Sequence, residues 1–336
     1  MNYMSNIQKK VARSCLRCGT ANPADIQFCL RCGEKLRSIK VSKKREKKDA
    51  RFRSSENQEI ERKAVPPSTS FEINKIYQDD CLQIMGQMPD DFVDLIITSP
   101  PYNFGLDEYD SHVDTKSWEE YFNTLHQAWR QSYRILKPGG RICVVVQPLF
   151  SDYIPSHHII SEQLREMGFL FKAEIIWEKH NWNCKYTAWG SWKSPSMPYL
   201  KYTWEFIEVF CKSDQKKAGA SENIDITGEE FKKWVYSKWE IAPESKMKKF
   251  GHPAMFPEEI PYRLIKLFSY VGDLVLDPFN GVGTTTLVAR KLQRNYIGID
   301  ISEQYCQEAL ARIKAHENQT TILSTTRKTK QRQLPD

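Results

Sequence analysis

Between residues 93 and 314 the chain repeats one pattern: a short, largely apolar run of strand length, then a stretch with helical spacing. Val93 to Thr98 (V-D-L-I-I-T) and Arg141 to Val146 (R-I-C-V-V-V) are the clearest strands, and Lys172 to Trp177, Trp204 to Cys211, Leu274 to Leu276 and Tyr296 to Ile299 read the same way. Helical spacing runs from Trp118 to Leu136, Ser156 to Met167, Ile260 to Ser269, Thr284 to Leu292 and Ser302 to Lys314. The first of these is closed by Lys137-Pro138-Gly139-Gly140, the second by Gly168, and the third ends near Gly272. Strands apolar on both faces need a cover on both faces. The pattern therefore predicts an α/β fold, a doubly wound and mostly parallel sheet between two layers of helices. Ligands of such sheets sit beyond the carboxyl ends of the strands, so the loops there are where chemistry is expected. At 336 residues with 40% apolar residues, the chain can build one large core and a small appendage. It has no apolar run of about eighteen residues, so no membrane-spanning helix is expected.

The appendage comes first. Two copies of C-L-R-C-G carry Cys15 and Cys18, then Cys29 and Cys32. Each C-x-x-C turn lets two thiolates bind one metal, and four thiolates suit a closed, tetrahedral, structural Zn²⁺ site. The segment is too short for a core of its own, so the metal would supply its folding energy. Two disulfides or a redox pair are the alternatives. Cys15 to Leu36 resembles the zinc-ribbon family, which makes residues 1–36 the expected zinc-ribbon domain. Residues 37–70 are polar, carry the basic run K-V-S-K-K-R-E-K-K-D-A-R-F-R and end in V-P-P-S-T-S, which predicts a flexible linker, a solvated tether or an arm for phosphates. The tail, 317–336, reads as disordered. The N-terminus has no secretory pattern, and the five other cysteines are scattered, which points to a reducing cytoplasm.

The sequence L-V-L-D-P-F-N-G-V-G-T-T-T-L-V-A-R-K-L-Q-R-N-Y-I-G-I-D (274–300) is strand, glycine turn, helix, strand, acid. Gly281 and Gly283 permit close backbone approach, and the helix start offers free amides. A phosphate loop would need a lysine before its threonine, and a dinucleotide fingerprint would have glycine where Thr286 stands. Asp300, at the end of the next strand, suits ribose hydroxyls. These residues describe a site for an adenosine-containing ligand. D-P-F-N-G-V-G-T-T resembles the cofactor motif of DNA amino-methyltransferases, which implies S-adenosyl-L-methionine. Asp277, Phe279 and Gly281 would then lie near its methionine end, Asp300 would hold its ribose, and Pro278, Asn280, Gly283, Thr284 and Thr285 would complete the site. Just upstream, H-P-A-M-F-P resembles the segment preceding that strand in the same family, making Phe256 and Pro257 candidate cofactor contacts. Ordinary core packing is the other reading of Phe256.

The run V-D-L-I-I-T-S-P-P-Y-N ends a buried strand directly in Ser99-Pro100-Pro101-Tyr102. Both prolines fix φ, and neither carries an amide hydrogen, so the loop is stiff and offers acceptors without competing donors. An exocyclic amine of a base is a poor nucleophile because its lone pair is delocalised into the ring. Two acceptors holding its hydrogens, Ser99 Oγ and the Pro100 carbonyl, would favour a localised lone pair, and Tyr102 could stack on a base flipped from the duplex. S-P-P-Y resembles the catalytic motif of the same family, and Asp80, in the upstream D-D-C-L, matches an acidic position near the cofactor. The catalytic loop precedes the cofactor loop, which resembles the permuted, beta-class order of a Rossmann-like methyltransferase. Serine at Ser99 resembles the cytosine-N4 pattern, where adenine-N6 enzymes usually carry Asp or Asn.

Within the domain 71–316, the segment 178–257 mixes aromatics with lysines and ends in a short basic, Trp-bearing helix. It is the candidate for reading DNA sequence, with core packing the alternative for its tryptophans. Double-stranded DNA is the expected partner, and the formal charge of +7 permits it. A cognate restriction endonuclease and a second copy of the chain stand as further candidate partners, with restriction-modification or epigenetic marking as the setting. Two rival readings remain: an RNA or protein methyltransferase on the same cofactor fold, and a non-catalytic zinc-ribbon DNA-binding protein.

Overall fold

The computed structural model describes residues 71–102, 117–148, 154–180, 202–245 and 255–319 with their side chains and most of 191–200. It also describes the backbone of two short strands near the N-terminus and of the C-terminal helix as far as Gln331. The chain divides into two units, Met1–Ser68 and Thr69–Asp336. In the first, β1 (Arg13–Ser14) pairs antiparallel with β2 (Ala21–Asn22). Cys15, Cys18, Cys29 and Cys32 lie outside the described residues.

The second unit is an eight-stranded sheet. Its elements are β3 (Lys75–Gln78), α1 (Cys81–Gln87), β4 (Val93–Thr98), α2 (Trp118–Ile135), β5 (Leu136–Val146), α3 (Ser156–Glu166), β6 (Phe169–Glu178), β7 (Trp204–Lys212), α4 (Gly228–Trp234), β8 (Lys238–Glu240), α5 (Glu259–Phe268), β9 (Leu274–Asp277), α6 (Thr284–Lys291), β10 (Asn295–Asp300) and α7 (Glu303–Gln331). The strand order is β3-β10-β9-β4-β5-β7-β6-β8. β7 runs antiparallel to both its neighbours, and every other pairing is parallel. The α/β, mostly parallel sheet is the one the apolar pattern predicts. Val93–Thr98 is buried at every residue, and Val144 and Ile96 face one apolar cluster while Val145 and Ile97 face the other, which is the two-sided cover such strands require.

Helix starts follow local chemistry. α2 begins with a capping box: Ser117 Oγ accepts from the Glu120 amide at 3.2 Å, and Glu120 Oε2 accepts from the Ser117 amide at 3.2 Å. Its Tyr121, Leu125, Ala128, Trp129 and Ile135 form the buried stripe. Three boundaries differ from the sequence pattern. Lys137–Gly140 belongs to β5 rather than to a loop, because the register shifts between Val93, opposite Leu136, and Leu95, opposite Arg141. Gly139 lies there at φ 73°, and a Cβ would come within 2.1 Å of the Lys216 carbonyl oxygen. β6 is longer than Lys172 to Trp177 because it pairs with β7 from Phe169 through Glu178. Finally α7 continues to Gln331, past the Lys314 expected as its end and into the tail expected to be disordered, and no glycine or proline interrupts the sequence over that span. β3, α1 and β8 carry too little pattern to be read from sequence.

Among the described residues Cys81, Cys143, Cys211 and Cys306 are free and buried. Burial pushes the Cys81 and Cys306 thiols up to about 12, so they behave as small apolar side chains. No helix among the described residues is long and apolar enough to cross a membrane.

Candidate active site

The sheet's order reverses between β9 and β4. From β9 the chain proceeds outward to β10, and from β4 it proceeds to β5 on the other side. The crevice at such a switch point, outside the carboxyl ends, is where α/β sheets bind ligands. The glycine loop follows β9 and the S-P-P-Y loop follows β4, so the two sequence motifs meet at this switch point.

One hydrogen bond joins them. Thr98 Oγ1, the last hydroxyl of β4, donates to Asp277 Oδ1, the last carboxyl of β9, at 2.7 Å. The same Asp277 oxygen accepts from the Phe279 amide at 3.1 Å. Asp277 is 2% exposed. Burial pushes its carboxyl up to about 7 and the charge of Asp300 adds to the rise, while the Thr98 hydroxyl and Phe279 amide oppose it.

The glycine loop is held from below and from the side. Gly281 and Gly283 have φ of 49° and 77°, conformations that favour glycine. A Cβ on Gly283 would meet Ala309 Cβ of α7 at 2.6 Å, so the glycine lets α6 start against α7. Asp300 bridges the loop to the next turn: Oδ2 accepts from the Gly281 amide at 2.7 Å and Oδ1 from the Ser302 amide at 2.9 Å. Asn280 serves the loop itself. Its amide donates to the Ile299 carbonyl at 2.9 Å, its Oδ1 accepts from Thr286 Oγ1 at 3.0 Å, and its side chain fills the space above Gly298. Pro278, Thr284 and Thr285 are buried, with Thr285 fully so, while Phe279 is half-buried against the cluster containing Leu276 and Ile299.

Phe256 and Pro257 are half-buried. Phe256 packs on the apolar cluster with Ile260 and Val275, as its core reading requires, while the neighbouring Met255 packs with Val282 of the glycine loop and Tyr305. The segment is thus brought to the loop through Met255. Asp80 caps α1, its Oδ1 accepting from the Leu82 amide at 2.7 Å. It lies next to Asp79, whose amide donates to the Asp300 carbonyl at 3.1 Å, so β3 delivers Asp80 to the same edge as Asp300.

On the other side, Ser99 and Pro101 are partly exposed and Pro100 is buried. The Pro101 carbonyl accepts from Tyr121 Oη at 2.7 Å, which ties the loop to α2. Tyr102 is not an open stacking platform in this structure, being 7% exposed. Its hydroxyl lies 3.1 Å from Ser99 Oγ and 3.2 Å from Glu205 Oε2.

Sequence reading missed Glu205, its partner Lys179 and Arg312. Glu205, the second residue of β7, is 4% exposed and forms an ion pair with Lys179, which follows β6. The signal was an acid inside the apolar run W-E-F-I-E-V-F-C. Arg312 of α7 reaches back to the loop, donating to the Val282 carbonyl at 2.7 Å and to Thr284 Oγ1 at 3.3 Å. In the segment 178–257, Trp234 and Trp239 are buried at 6% and 1%, so core packing accounts for both, whereas Phe231, Val235 and Tyr236 are exposed around them. Among the described residues no cluster of three or more His, Cys, Asp or Glu could hold a metal.

The DNA methylase family model of N6 and N4 methyltransferases matches residues 93–311, from β4 into α7. The Type II methyltransferase M.MjaI of Methanocaldococcus jannaschii is 32% identical over 261 residues, covering 65% of this chain and 84% of that protein. A protein of Thermus thermophilus assigned as a DNA modification methylase, solved in complex with S-adenosyl-L-methionine, superposes with a TM-score of 0.57 at 28% identity, over 71% of this chain and 93% of that one. The PvuII cytosine-N4-specific DNA methyltransferase shares the fold, with a TM-score of 0.56 at 20% identity over 72% of this chain and 86% of that one. The family match spans well over half the chain and contains both loops of the switch-point crevice, so the chain belongs to the DNA methylase family of N6 and N4 methyltransferases.

Proposed function

We propose that the protein methylates the N4 amine of a cytosine flipped out of duplex DNA, using S-adenosyl-L-methionine, in a restriction-modification or marking role. The observation that carries this reading is the Thr98–Asp277 bond, which fixes the S-P-P-Y loop beside the glycine loop across the switch point. The residues present fit the cofactor. Gly281 and Gly283 leave backbone free of side chains, and Asp277 is a buried carboxyl that gains an ionic partner if an ammonium approaches. Bound there, the cofactor would supply an electrophilic methyl on a sulfonium.

The chain's own residues do the rest. Asp300 keeps the glycine loop in place through the Gly281 amide and has acceptor capacity for ribose hydroxyls. Ser99 Oγ and the Pro100 carbonyl accept the two amine hydrogens, and the stiff loop holds the nitrogen in line with the methyl. Serine at Ser99 supports cytosine over adenine, because adenine-N6 enzymes of the family usually carry Asp or Asn at that position. The Type II assignment of M.MjaI supports a restriction-modification setting. Exposed Phe231, Val235 and Tyr236, with Lys232 and Lys233, are the candidate DNA-reading surface of the segment 178–257. The test is methylation of unmodified duplex DNA with labelled cofactor, followed by nucleoside digestion. N4-methylcytosine is expected, N6-methyladenine would overturn the choice of base, and labelled RNA or protein without labelled DNA would overturn the substrate class.

The four N-terminal cysteines are proposed to hold one structural zinc. The β1–β2 pair brackets Cys15 and Cys18 in sequence, which supports a turn between the strands. Metal analysis of the purified chain tests this, one zinc per chain being expected.

A further inference from the structure

We infer that Glu205, held by Lys179, is a positioning residue that turns the Ser99 hydroxyl into a pure acceptor for the target amine. The inference rests on the role proposed above for Ser99 and adds the device that enforces it.

A serine hydroxyl is both donor and acceptor, and its hydrogen rotates to suit its partners. If that hydrogen pointed at the base it would meet the amine's own hydrogens and leave the nitrogen lone pair in the ring. Something must pull it away. Lys179 Nζ donates to Glu205 Oε1. The other oxygen, Oε2, lies 3.2 Å from Tyr102 Oη. A carboxylate has no hydrogen to give, so the tyrosine must donate to it. The tyrosine oxygen then accepts from Ser99 Oγ, the donor at 3.1 Å. The direction of the whole chain, Ser99 to Tyr102 to Glu205, is fixed by its last member. What remains on Ser99 Oγ is lone pairs, the arrangement an incoming amine needs.

The environment makes the direction matter. Glu205 is 4% exposed and Tyr102 is 7% exposed, so water does not randomise the chain, and hydrogen bonds at low local dielectric reinforce one another. Three segments distant in sequence meet to make it: the loop after β4, the start of β7 and the residue after β6. Lys179 is held in turn by the hydrogen bond that its backbone amide donates to the Thr203 carbonyl at 2.9 Å, and its Nζ lies 4.4 Å from the ring centre of Trp177. Of the two buried acids in β7, Glu205 and Glu208, only Glu205 reaches the S-P-P-Y loop, and packing gives it no reason to be there.

The test uses the full chain, unmethylated genomic DNA and labelled S-adenosyl-L-methionine, with single-turnover methyl transfer as the readout. Glu205→Gln keeps shape but not direction. Lys179 will hold the new amide's oxygen, so its NH₂ faces Tyr102 and reverses the chain, driving the Ser99 hydrogen toward the base. The transfer rate should fall about 10- to 100-fold with cofactor and DNA affinities unchanged, while the melting temperature falls because Lys179 loses its ionic partner. Tyr102→Phe, which deletes only the linking hydroxyl, should fall similarly, and the double variant should fall no further than the worse single one. A wild-type rate in either single variant overturns the inference, as does a double variant whose losses multiply. If Glu205→Gln does not fold, Tyr102→Phe carries the test alone. Ser99→Ala separates the two levels. If it keeps full activity, the proposed role of Ser99 has failed. If it is inactive while Glu205→Gln is wild type, only the positioning by Glu205 has failed.

Discussion

The contact proposed between Asp277 and the cofactor would make binding depend on pH. The Asp277 carboxyl is pushed up to about 7 from an ordinary 3.8 by burial, with Asp300 adding to the rise. A folded-state pKa above the unfolded value means that the fold holds the proton more tightly than the open chain does. This contribution to stability is full below pH 3.8 and is lost as pH rises toward 7. Three units at about 1.4 kcal/mol each give a loss of about 4 kcal/mol for the free protein over that window. A cationic ligand group beside Asp277 reverses the preference, so the proton must leave when S-adenosyl-L-methionine binds below pH 7. Affinity should rise as pH increases toward 7, by up to tenfold per unit, and level off above it. Calorimetry from pH 5.5 to 8.5, in two buffers of different ionisation enthalpy, reads both the affinity and the released proton. Asp277→Asn should bind the cofactor more weakly, release no proton and show a nearly flat profile. Its free form should melt higher than wild type above pH 7. A flat wild-type profile, or the same slope in Asp277→Asn, would refute the reasoning.

Other consequences follow from the same geometry. Asp300→Ala removes the acceptor of the Gly281 amide and a proposed ribose contact together, so calorimetry should show binding weakened by about 1–3 kcal/mol and the free protein should melt lower as well. Gly298→Ala places a Cβ 2.5 Å from Asn280 Cγ, and denaturant unfolding should show a loss of about 1–3 kcal/mol as the Asn280 side chain is pushed off its bond to Thr286. Glu208 is buried in β7 beside Glu174, and burial with that neighbouring carboxyl raises its pKa, so its deprotonation costs stability as pH rises; Glu208→Gln should melt higher than wild type at alkaline pH and not at pH 4. A chain starting near Ser70 should keep cofactor affinity and turnover at saturating DNA, because the matched family region begins at Val93; lost turnover would make the N-terminal unit part of catalysis.

What the sequence revealed was whatever depends on residue type at close spacing. Val93–Thr98 is apolar because the sheet is covered on both faces there, so its bounds could be read to the residue. Ser99-Pro100-Pro101-Tyr102 and Asp277 to Thr285 are contiguous, so each loop announced itself. β3 and β8 could not be read, since four and three residues at the sheet's edges need no apolar run. The K-P-G-G at 137–140 looked like a loop because its place in β5 depends on a register shift against β4 and on the passage of the Lys216 backbone, both tertiary facts.

The residues that complete the site were hidden for a further reason. Arg312 reaches Val282 across 30 positions and Glu205 reaches Tyr102 across 103, so no spacing rule connects them. Each sits in an element whose apolar pattern is complete without it, Arg312 on the helix α7 and Glu205 on the strand β7. A buried charge in such an element is expensive unless it is paired. Glu205 has Lys179 and Tyr102, and Arg312 has Glu258, Val282 and Thr284. In both cases the partners lie on or next to the loops that line the crevice. The charges inside apolar elements therefore point to the site as directly as the motifs do, once the fold shows where their partners are. Glu208, three residues after Glu205 on the opposite face of β7, is the contrasting case. It meets another carboxyl rather than a loop of the crevice, and its consequence is a dependence of stability on pH instead of a role in methyl transfer.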